Sequence, residues 1–589
     1  RADGAPRIFN GYVRRFTGGA SHMREFRRYS AEVVPWLWFL TRTSDCRIFQ
    51  NKSVPDILEC VFDELEIGDY RFDLHGEHPA REYCVQYRES TFDFVSRLME
   101  QEGMFYWFEH EEGKHTMVIA DHRGAYVKCP QSAIEYVEGS RNEDHLFAWR
   151  HDYQFRSGRF AQADFNFESP STDLLSSTNT LLDLKMADRF ELFDYPGAFV
   201  TKGRGETLTK LRMEQQEATY DVVQAASNCR TLHAGGTFRL ERHDVLSEED
   251  QCFVMTGVRH TASDTTHVTG SEPAYYENEF TCIPSSMVFR PQLTTTKPVV
   301  QGPQTAMVVG PKGEDIYPDE YGRVKVQFHW DRRGQYDENS SCWVRVAQVW
   351  AGKKWGAMYI PRVGQEVIVD FLEGDPDQPI VTGRVYNAES MPPYDLPASK
   401  TVSTMKSASS DDGQGYNELR FEDKNGEEQI FMHAQRNQDV RVKNDAFVTV
   451  ENDRHVLVEN TLREQVKTDH HQTVDGNRLS RVGGDISLDA AADVRESTGG
   501  DQHLRVLGGH FESAGGARHL SAGQTIVLDA GMQISIKAGS SFITLGPAGV
   551  DISGPMVKIN SGGSATAATA PASPDAPEAP EAACDGALR

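Results

Sequence analysis

The segment from His110 to His115 carries the residue types of a zinc-protease motif at nearly the required spacing. In that motif, two histidines on one face of a helix bind zinc, and a glutamate acts as the general base. Here the second histidine comes one position late, and Gly113 breaks the helix that would align the two imidazoles. The segment therefore predicts a structural turn with a charged tip.

Two further segments contain residue types that bind metals or phosphates in other proteins. His470 and His471 are adjacent, and because neighbouring residues of a strand face opposite ways, we interpret them as solvated histidines. Gly203-Arg204-Gly205 lacks the third glycine of a dinucleotide-binding loop, since Leu208 occupies that position, and it predicts the entry to a helix. No pattern marks two carboxylates as an acid and base pair. We predict no catalytic residues, no cofactor and no metal site.

The composition is that of a large acidic protein. With 589 residues, the chain is long enough for about three to five domains. The 87 acidic and 61 basic residues give a net charge of -26, which argues against a nucleic-acid partner, because phosphate contacts need clustered lysine and arginine. The nine cysteines are scattered without zinc-binding spacing, which favours folding in a reducing compartment. We predict neither a signal peptide nor a membrane span, so that any export bypasses a cleaved signal.

The first half of the chain predicts strands with a few helices packed among them. An apolar run at 35–40 predicts a buried strand. Ser53 and Ser90 each precede an amphipathic stretch and are typical helix N-caps, and Gly103 ends the second helix. The other predicted elements are a helix at about 206–227 and strands at 104–108, 116–120, 237–240 and 252–255.

A compact barrel is predicted after a linker at 291–300. Short alternating strands, separated by glycine and proline turns, run from 301 to 390, and Val324, Val326 and Phe328 share one face of a strand. Five or six such strands fit a small closed barrel, and the oligonucleotide/oligosaccharide-binding (OB) type is the leading interpretation.

The C-terminal third is built on an eight-residue repeat. Polar corner residues separate valines that recur every eight residues without a slip. These valines are Val442, Val450, Val458, Val466, Val474 and Val482. The phase of the repeat blurs from about 487 to 516 and resumes at Gly523, Gly531 and Gly539. So regular a match is specific to a repeat architecture.

Each octad predicts one short strand followed by a turn. Such a strand has one apolar face and two open edges, so it can neither bury that face nor complete its hydrogen-bond ladder alone. Stacked octads of a single chain would still enclose too little core. We therefore predict an intertwined β-helix at 438–562, in which neighbouring chains complete each layer and the six valines face a shared axis.

The C-terminal end leaves two alternatives open. Charged residues become sparse between 521 and 562, which fits either a tighter distal shaft or a tip built to cross a lipid layer. The stretch 563–589 is rich in Ala, Pro and Glu and predicts a disordered tail. That tail is either a tether for an adaptor protein or a segment without a binding role.

Five segments carry a more specific signal. They are DEYGRVKVQF at 319–328, GAMYIPRVGQEV at 356–367, FLEGDPDQP at 371–379, LTRTSDCRIFQ at 40–50 and YCVQYRES at 83–90. The first three resemble the OB domain of VgrG, the spike protein family of type VI secretion, and the last two resemble its hub. The resemblance covers about 36–562, and members of that family usually have further hub strands before Phe9.

The resemblance implies a homotrimer similar to a phage tail hub fused to a phage tail spike. The expected fold is mainly β with some helix. It comprises a barrel-containing hub domain at 1–290, an OB-fold barrel at 301–390, a connector at 391–437 and an intertwined trimeric β-helix needle at 438–562. The implied partners are a tube of Hcp hexamers at the hub base, a PAAR-repeat cap at the needle tip, effector or adaptor proteins, and transiently a target membrane. Val557 and Ile559 are the expected cap contacts at the tip.

The resemblance also implies a mechanical function. The spike would sit at the tip of the type VI tube, puncture a target envelope and deliver effectors, after assembly in the cytoplasm and secretion without a signal peptide. The alternative is an enzyme-bearing spike that degrades the envelope, since a related phage spike inserts a wall-cleaving domain between barrel and needle. Here that interval, about 387–437, is polar and too short for a typical catalytic domain.

Overall fold

The computed structural model forms two compact units, Arg1–Asn437 and Gln438–Arg589. The residues it describes are 7–22, 26–139, 143–264, 274–411, 413–560, 562, 564 and 566–580. Among these residues, none of the helices combines the length and the apolar character needed to cross a membrane.

The first unit contains three α-helices among its described residues. They are α1 (Val54–Asp63), α2 (Thr91–Glu102) and α3 (Lys202–Glu217). The Ser53 hydroxyl accepts a hydrogen bond from the Asp56 amide, and the Asp56 carboxylate accepts one from the Ser53 amide, which makes a capping box. Ser90 caps α2, and Gly103 ends it at a φ of 70°, a left-handed conformation that glycine adopts without strain. Both predicted caps and the predicted stop are confirmed.

Strands dominate the first 300 residues. They are β1 (Tyr12–His22), β2 (Phe26–Val34), β3 (Ser44–Lys52), β4 (Asp69–Asp73), β5 (Arg81–Ser90), β6 (Phe105–Glu111), β7 (Lys114–Ala120), β8 (Val127–Glu135), β9 (Leu146–Tyr153), β10 (Arg159–Gln162), β11 (Ser176–Asn179), β12 (Glu191–Asp194), β13 (Asp221–Ser227), β14 (Gly236–Arg242), β15 (Cys252–Ser263) and β16 (Tyr275–Pro284). The predicted strands at 104–108, 116–120, 237–240 and 252–255 correspond to β6, β7, β14 and β15.

These strands form one large sheet and several small ones. The large sheet has the order β8-β14-β15-β16-β13-β9, and its buried side holds an apolar core that includes Phe238, Phe253 and Phe280. Strands β4, β7 and β6 form a second sheet, in which β4 runs parallel to β7. Helices α1 and α2 contribute Ile57 and Phe94 to a separate core. The smaller sheets are β1-β2, β3-β5 and β11-β10-β12.

The strand predicted at 35–40 is wrong. Residues Trp36–Arg42 form a 3-10 helix that packs on α2, and its buried side chains are those of Trp36, Leu37 and Leu40. Their spacing of one and four positions places them on one face of a helical turn. A run of six apolar residues satisfies the strand pattern and the helical pattern equally, so the sequence alone could not separate them.

The third predicted helix is also partly wrong. It was expected at about 206–227, but α3 spans Lys202–Glu217, and the following residues Asp221–Ser227 form β13. Strand β13 lies between β16 and β9 and pairs with both. Partners on both sides complete its ladder, and β-branched Val222 and Val223 suit a strand. Pairing with two distant strands therefore determines the structure of this segment, and the local sequence pattern does not reveal that pairing.

The predicted OB barrel is confirmed. Its strands are β17 (Gln304–Val309), β18 (Lys325–Phe328), β19 (Arg345–Val346), β20 (Ala351–Gly352), β21 (Trp355–Gly356), β22 (Glu366–Phe371) and β23 (Pro379–Arg384). Five of them pair in the order β18-β17-β22-β23-β19. The amides of Val324 and Val344 donate to each other's carbonyl oxygens at 3.0 and 2.8 Å, which joins the two ends of the sheet and closes the barrel. Val324, Val326 and Phe328 are all buried, as predicted.

The segment predicted as a linker is anchored by side chains. The Glu100 carboxylate accepts hydrogen bonds from the amides of Thr294 and Thr295, and Lys297 forms ion pairs of 2.6 and 2.7 Å with Asp375 and Asp377. Asp377 in turn accepts a 2.6 Å hydrogen bond from the Val85 amide of β5, and Val85 packs into the apolar core of the barrel. The barrel is thus fixed to β5 of the hub within one unit.

A buried charge cluster connects α2 with α3. The Glu102 carboxylate, 2% exposed, accepts hydrogen bonds from Arg81 and Arg204 at 2.7 and 2.6 Å. The His78 ring bridges Glu102 at 3.1 Å and Asp121 at 3.0 Å. Burial of Glu102 favours its neutral form, but the hydrogen bond from His78 and the charges of both arginines outweigh burial and hold its pKa well below the ordinary value.

The His78 bridge makes the stability of the first unit depend on pH. Burial opposes protonation of His78, but hydrogen bonds to Asp121 and Glu102 outweigh burial and raise its pKa from 6.5 to about 9. A raised pKa stabilises the fold fully below pH 6.5, and that stabilisation is lost as the pH rises through about 9. We expect His78→Gln to remove up to about 3 kcal/mol of unfolding free energy near pH 6 and much less above pH 9.

Urea unfolding followed by tryptophan fluorescence measures this difference, because all eight tryptophans precede residue 357 and report on the first unit alone. The control is His329→Gln, a change of the same kind at a barrel histidine that contacts Thr305. A gap between wild type and His78→Gln that stays constant from pH 6 to above pH 9 would contradict the prediction.

The predicted connector at 391–437 folds into a small antiparallel sheet. Its strands are β24 (Val402–Lys406), β25 (Glu418–Glu422) and β26 (Gln429–His433), paired in chain order. The Glu418 carboxylate, on the central strand, accepts hydrogen bonds from the hydroxyls of Tyr394 and Thr404. The interval between the barrel and the octads therefore contains a three-stranded sheet.

Among its described residues, the second unit has strands only after residue 533. They are β27 (Ile534–Ala538), β28 (Ser541–Gly546) and β29 (Gly549–Ser553), which pair as an antiparallel meander. In this sheet Ile536 pairs with Ile543, and Ile543 pairs with Ile552. Beyond about residue 533 the chain therefore leaves the octad course that was predicted to continue to 562. The described part of the predicted tail, 566–580, contains no helix or strand.

Candidate functional site

The octad segment, residues 438–533, bends at a fixed interval. The bends begin at residues 443, 451, 459, 467, 475, 483, 491, 499, 507, 515, 523 and 531. Between bends the backbone runs without a partner strand, and no strand pairing forms within the chain anywhere in this fully described segment. The eight-residue period is therefore a property of the backbone course as well as of the valine positions.

The six predicted core valines occupy one position of each octad, immediately before the bend. Their exposure lies between 45% and 52%, whereas the valines two residues earlier in the first three octads are 67% to 78% exposed. Leu457, beside Val458 in the chain, is 88% exposed. The repeat position thus faces inward relative to its neighbours, yet about half of each valine remains uncovered. We define the octad surface as Val442, Val450, Val458, Val466, Val474 and Val482.

The same position continues through the stretch where the sequence phase blurred. Its occupants there and beyond are Ala490, Thr498, Val506, Ala514, Ala522 and Ala530. The bends at 491, 499, 507 and 515 keep the phase without a break. The valine pattern lost its phase between 487 and 516 because Ala490, Thr498 and Ala514 replace valine at this position. The signal that could have kept the phase is the glycine at 499 and 515, which follows the repeat position in the same way as Gly483 and Gly523 do.

The two predicted cap contacts lie beyond the last strand. Val557 is 49% exposed and Ile559 is 78% exposed, and both follow β29, which ends at Ser553. Met556 beside them is 72% exposed. The segment therefore presents apolar side chains at the distal end of the second unit.

The near zinc-protease segment lies in the β6–β7 hairpin, as predicted. His110 and His115 are cross-strand partners, so they do not share a helical face. The His110 ring accepts a hydrogen bond from the Asn10 amide at 3.2 Å, and the His115 ring accepts one from the Trp36 amide at 2.9 Å. Burial lowers the pKa of both histidines and favours the neutral form that accepts these bonds. Their contacts attach neighbouring backbone to the hairpin.

The glycine-rich segment is a helix entry, as predicted. Helix α3 begins at Lys202, and the Thr201 hydroxyl accepts a hydrogen bond from the Arg204 amide. A Cβ atom at Gly205 would lie only 2.5 Å from the Phe199 ring and 2.6 Å from the Ser176 hydroxyl. Glycine is therefore required for close packing, and Arg204 is used in the ion pair with Glu102.

Sequence families match three consecutive parts of the chain. Residues 1–266 match the phage tail baseplate hub family, GPD. Residues 306–386 match the type VI secretion system and phage-baseplate injector OB domain. Residues 403–539 match the C-terminal trimerisation domain of bacteriophage T4 gp5, which contains the whole octad surface. The mainly β fold with a tail hub and an OB barrel is thereby confirmed.

Curated relatives extend the likeness over most of the chain. The type VI secretion system spike protein VgrG1a of Pseudomonas aeruginosa is 47% identical over 452 residues, which are 75% of this chain and 70% of that protein. The chain belongs to the VgrG family of type VI secretion spike proteins. Another VgrG of that organism, VgrG1b, is 47% identical over 75% of this chain and 60% of its own length. The VgrG1 of Vibrio cholerae, an actin cross-linking toxin, is 39% identical over 74% of this chain and 40% of its own length.

The chain covers a different fraction of the length of each VgrG relative. The chain spans about 60% of VgrG1b and 40% of the Vibrio cholerae toxin. The shared region corresponds to about three quarters of the chain. Family membership and fold follow from these matches.

Proposed function

We propose that three copies of this chain form a spike at the tip of the type VI secretion tube, which punctures a target envelope and delivers effectors mechanically. The observation that carries the proposal is the octad surface: a row of half-uncovered valines on backbone without a partner strand. Such a segment gains stability only when other chains cover its apolar side and complete its ladders. The match of 403–539 to a trimerisation domain supports three as the number of chains.

The proposed partners follow from the family and from the charge of the chain. The hub would sit on a tube of Hcp hexamers, and the distal end would carry a PAAR-repeat cap and, with it, effector or adaptor proteins. The net charge of -26 supports the absence of a nucleic-acid partner. We propose assembly in the cytoplasm, secretion through the type VI system, and transient contact with a target membrane.

We propose that the chain acts without an enzymatic step. An envelope-degrading spike is the alternative, and a toxin is among the relatives, but the chain matches only 40% of that protein. The interval where a phage spike carries its wall-cleaving domain is occupied here by β24, β25 and β26. Rigidity would instead come from ladders between chains and a dry valine core.

A secretion assay tests the proposed function. A type VI-competent strain that lacks its own spike proteins receives the chain, and Hcp is measured in the culture medium. We expect the wild-type chain to restore Hcp export and Val458→Asp to fail, with equal amounts of both chains inside the cells. Export by the Val458→Asp chain at the wild-type level would contradict the proposal.

The proposed cap contact gives a separate prediction. We expect the double substitution Val557→Asp and Ile559→Asp to abolish capture of a PAAR-repeat protein, because a charged pair removes the apolar surface that the cap would cover. The trimer should persist, since the substitutions lie beyond the octad surface. Co-purification with the PAAR protein measures capture, and Met556→Asp, which adds a charge to the neighbouring residue, is the control. If the double variant captures the PAAR protein as well as the control does, Val557 and Ile559 do not form the cap contact.

A further inference from the structure

Two parallel strands end side by side near the charge cluster of the first unit. Strand β4 pairs with β7 so that Asp73 lies opposite Ala120, and these are the last residues of the two strands. Continuing the same register by two residues brings His75 opposite His122. The carboxyl ends of neighbouring parallel strands thus bring one carboxylate and two imidazoles to the same edge of the sheet.

The three side chains lie within reach of a single ion. The His122 Nε2 atom is 3.1 Å from Asp73 Oδ1. The His75 and His122 rings are stacked, with centroids 3.5 Å apart and planes 3° from parallel. One ligand atom from each of the three residues lies within 4.8 Å of the other two. Two neutral imidazoles and a carboxylate are a common ligand set for zinc in proteins.

The surrounding residues fix the backbone that carries these ligands. The Asp121 carboxylate accepts hydrogen bonds from the amides of His75 and Gly76 at 2.8 and 2.7 Å, and it is itself bound by His78. A Cβ atom at Gly124 would lie 2.9 Å from the Nδ1 atom of His122, so the ring rests against a position that only glycine leaves open. The hydrogen bonds to Asp121 hold the backbone at His75, and the close approach of Gly124 leaves room for the His122 ring. Outer contacts of this kind orient metal ligands in proteins.

We propose that Asp73, His75 and His122 form a binding site for a divalent transition-metal ion of the zinc class. Each residue supplies one ligand atom, and water fills the fourth position of a tetrahedral ion. The two rings turn about their side-chain bonds from the stacked arrangement so that their nitrogen atoms converge on the ion. The bound ion links the loop after β4 to the loop after β7, next to the cluster that joins α2 and α3. The site is independent of the octad surface and of the proposed function.

The ligand types argue against some ions. A competing explanation without any ion also exists for the contacts among Asp73, His75 and His122. Calcium and magnesium prefer oxygen ligands, and two of the three ligands here are nitrogen atoms. The contact of His122 with Asp73 and the stacking of His75 on His122 could also exist without an ion. The two explanations differ in whether added zinc binds to these residues.

Zinc binding to the full-length, untagged chain tests the proposal. Competition with a fluorescent zinc indicator near neutral pH gives the affinity and the number of ions bound per chain. We expect one ion per chain at this site, and a loss of affinity of at least about 100-fold in the variant His75→Ala with His122→Ala, since even outer partners of metal ligands change affinity by about 10- to 100-fold. The control variant His470→Ala with His471→Ala, an exposed pair of the second unit, should keep that ion. Equal zinc binding by wild type and the His75/His122 variant would overturn the proposal.

A measurement on the wild-type chain covers the case in which the variant fails to fold. Diethyl pyrocarbonate modifies accessible imidazoles, and mass spectrometry of the digested chain reports each histidine separately. We expect zinc to protect His75 and His122 from modification and to leave His243, which lies elsewhere in the first unit, unprotected. Modification of His75 and His122 at the same rate with and without zinc would overturn the proposal.

Discussion

The substitution Val458→Asp is expected to dissociate the trimer. Three copies related by a shared axis would place three carboxylates in the covered valine core at one level of the needle. A buried charge without a partner costs about 3–5 kcal/mol, and the mutual repulsion of three adds to that cost. Size-exclusion chromatography with light scattering should therefore show the single-chain mass for this variant at concentrations where wild type remains associated.

The neighbouring residue provides a matched control. Leu457 is 88% exposed, compared with 45% for Val458, and adjacent residues of an extended segment face opposite sides. Leu457→Asp introduces the same charge at the same level but on the outer side, so the trimer should persist. If both variants remain trimeric, or if both dissociate, the assignment of the valines to a shared core is wrong.

The second large effect is expected at a buried ion pair in the hub. Arg97 is 1% exposed, and its guanidinium donates to both carboxylate oxygens of Glu89 at 2.9 and 2.8 Å and to the Val85 carbonyl at 2.9 Å. Burial opposes the charge of Arg97, but the hydrogen bonds to Glu89 outweigh burial and raise its pKa. Arg97→Met preserves most of the side-chain volume and leaves the Glu89 carboxylate buried without its partner. We expect a loss of about 3–5 kcal/mol in the unfolding free energy of the first unit.

An exposed arginine–glutamate pair, also joined by two hydrogen bonds, separates the effect of burial from that of the contact itself. Arg71 also binds both carboxylate oxygens of a glutamate, Glu109, but the two side chains are 48% and 36% exposed. Solvent screens such a pair, so Arg71→Met should cost no more than about 1 kcal/mol. Urea unfolding followed by tryptophan fluorescence measures both variants. Equal losses for the two arginines would contradict the role assigned to burial.

The sequence was sufficient where local chemistry determines the structure. The caps at Ser53 and Ser90 and the stop at Gly103 depend on residues within one helical turn, and all three were predicted. The OB barrel was predicted because apolar residues recur at every second position of its short strands, as at Val367, Val369 and Phe371 of β22, which are all buried. The hairpin around Gly113 followed from two apolar runs on either side of a charged segment that contains a glycine.

The sequence was insufficient where distant pairing decides the outcome. The apolar run at 35–40 fits either a strand or a helix, and packing on α2 selects the 3-10 helix. The residues 221–227 follow α3 directly, and only their pairing with β9 and β16 makes them a strand. The proposed site at Asp73 has no local sequence pattern, because its two histidines are 47 positions apart in the chain and the register of β4 on β7 brings them together.

The octad segment was predicted from the sequence in part and missed in part. A strict valine repeat revealed the period, but its apparent end near 487 reflected a change from valine to smaller residues such as Ala490. The bends show that the backbone course continues to about 532, after which β27, β28 and β29 pair within the chain. A repeat defined by position and side-chain size would have found the whole segment.

The proposed function depends on the association of three chains through the octad surface. Sedimentation equilibrium of the purified wild-type chain tests this claim most directly, because it gives the molar mass without assumptions about shape. We predict a single species of three times the 66.0 kDa mass of one chain, unchanged on dilution to low micromolar concentration. A species of 66.0 kDa with the octad segment still folded would contradict the account.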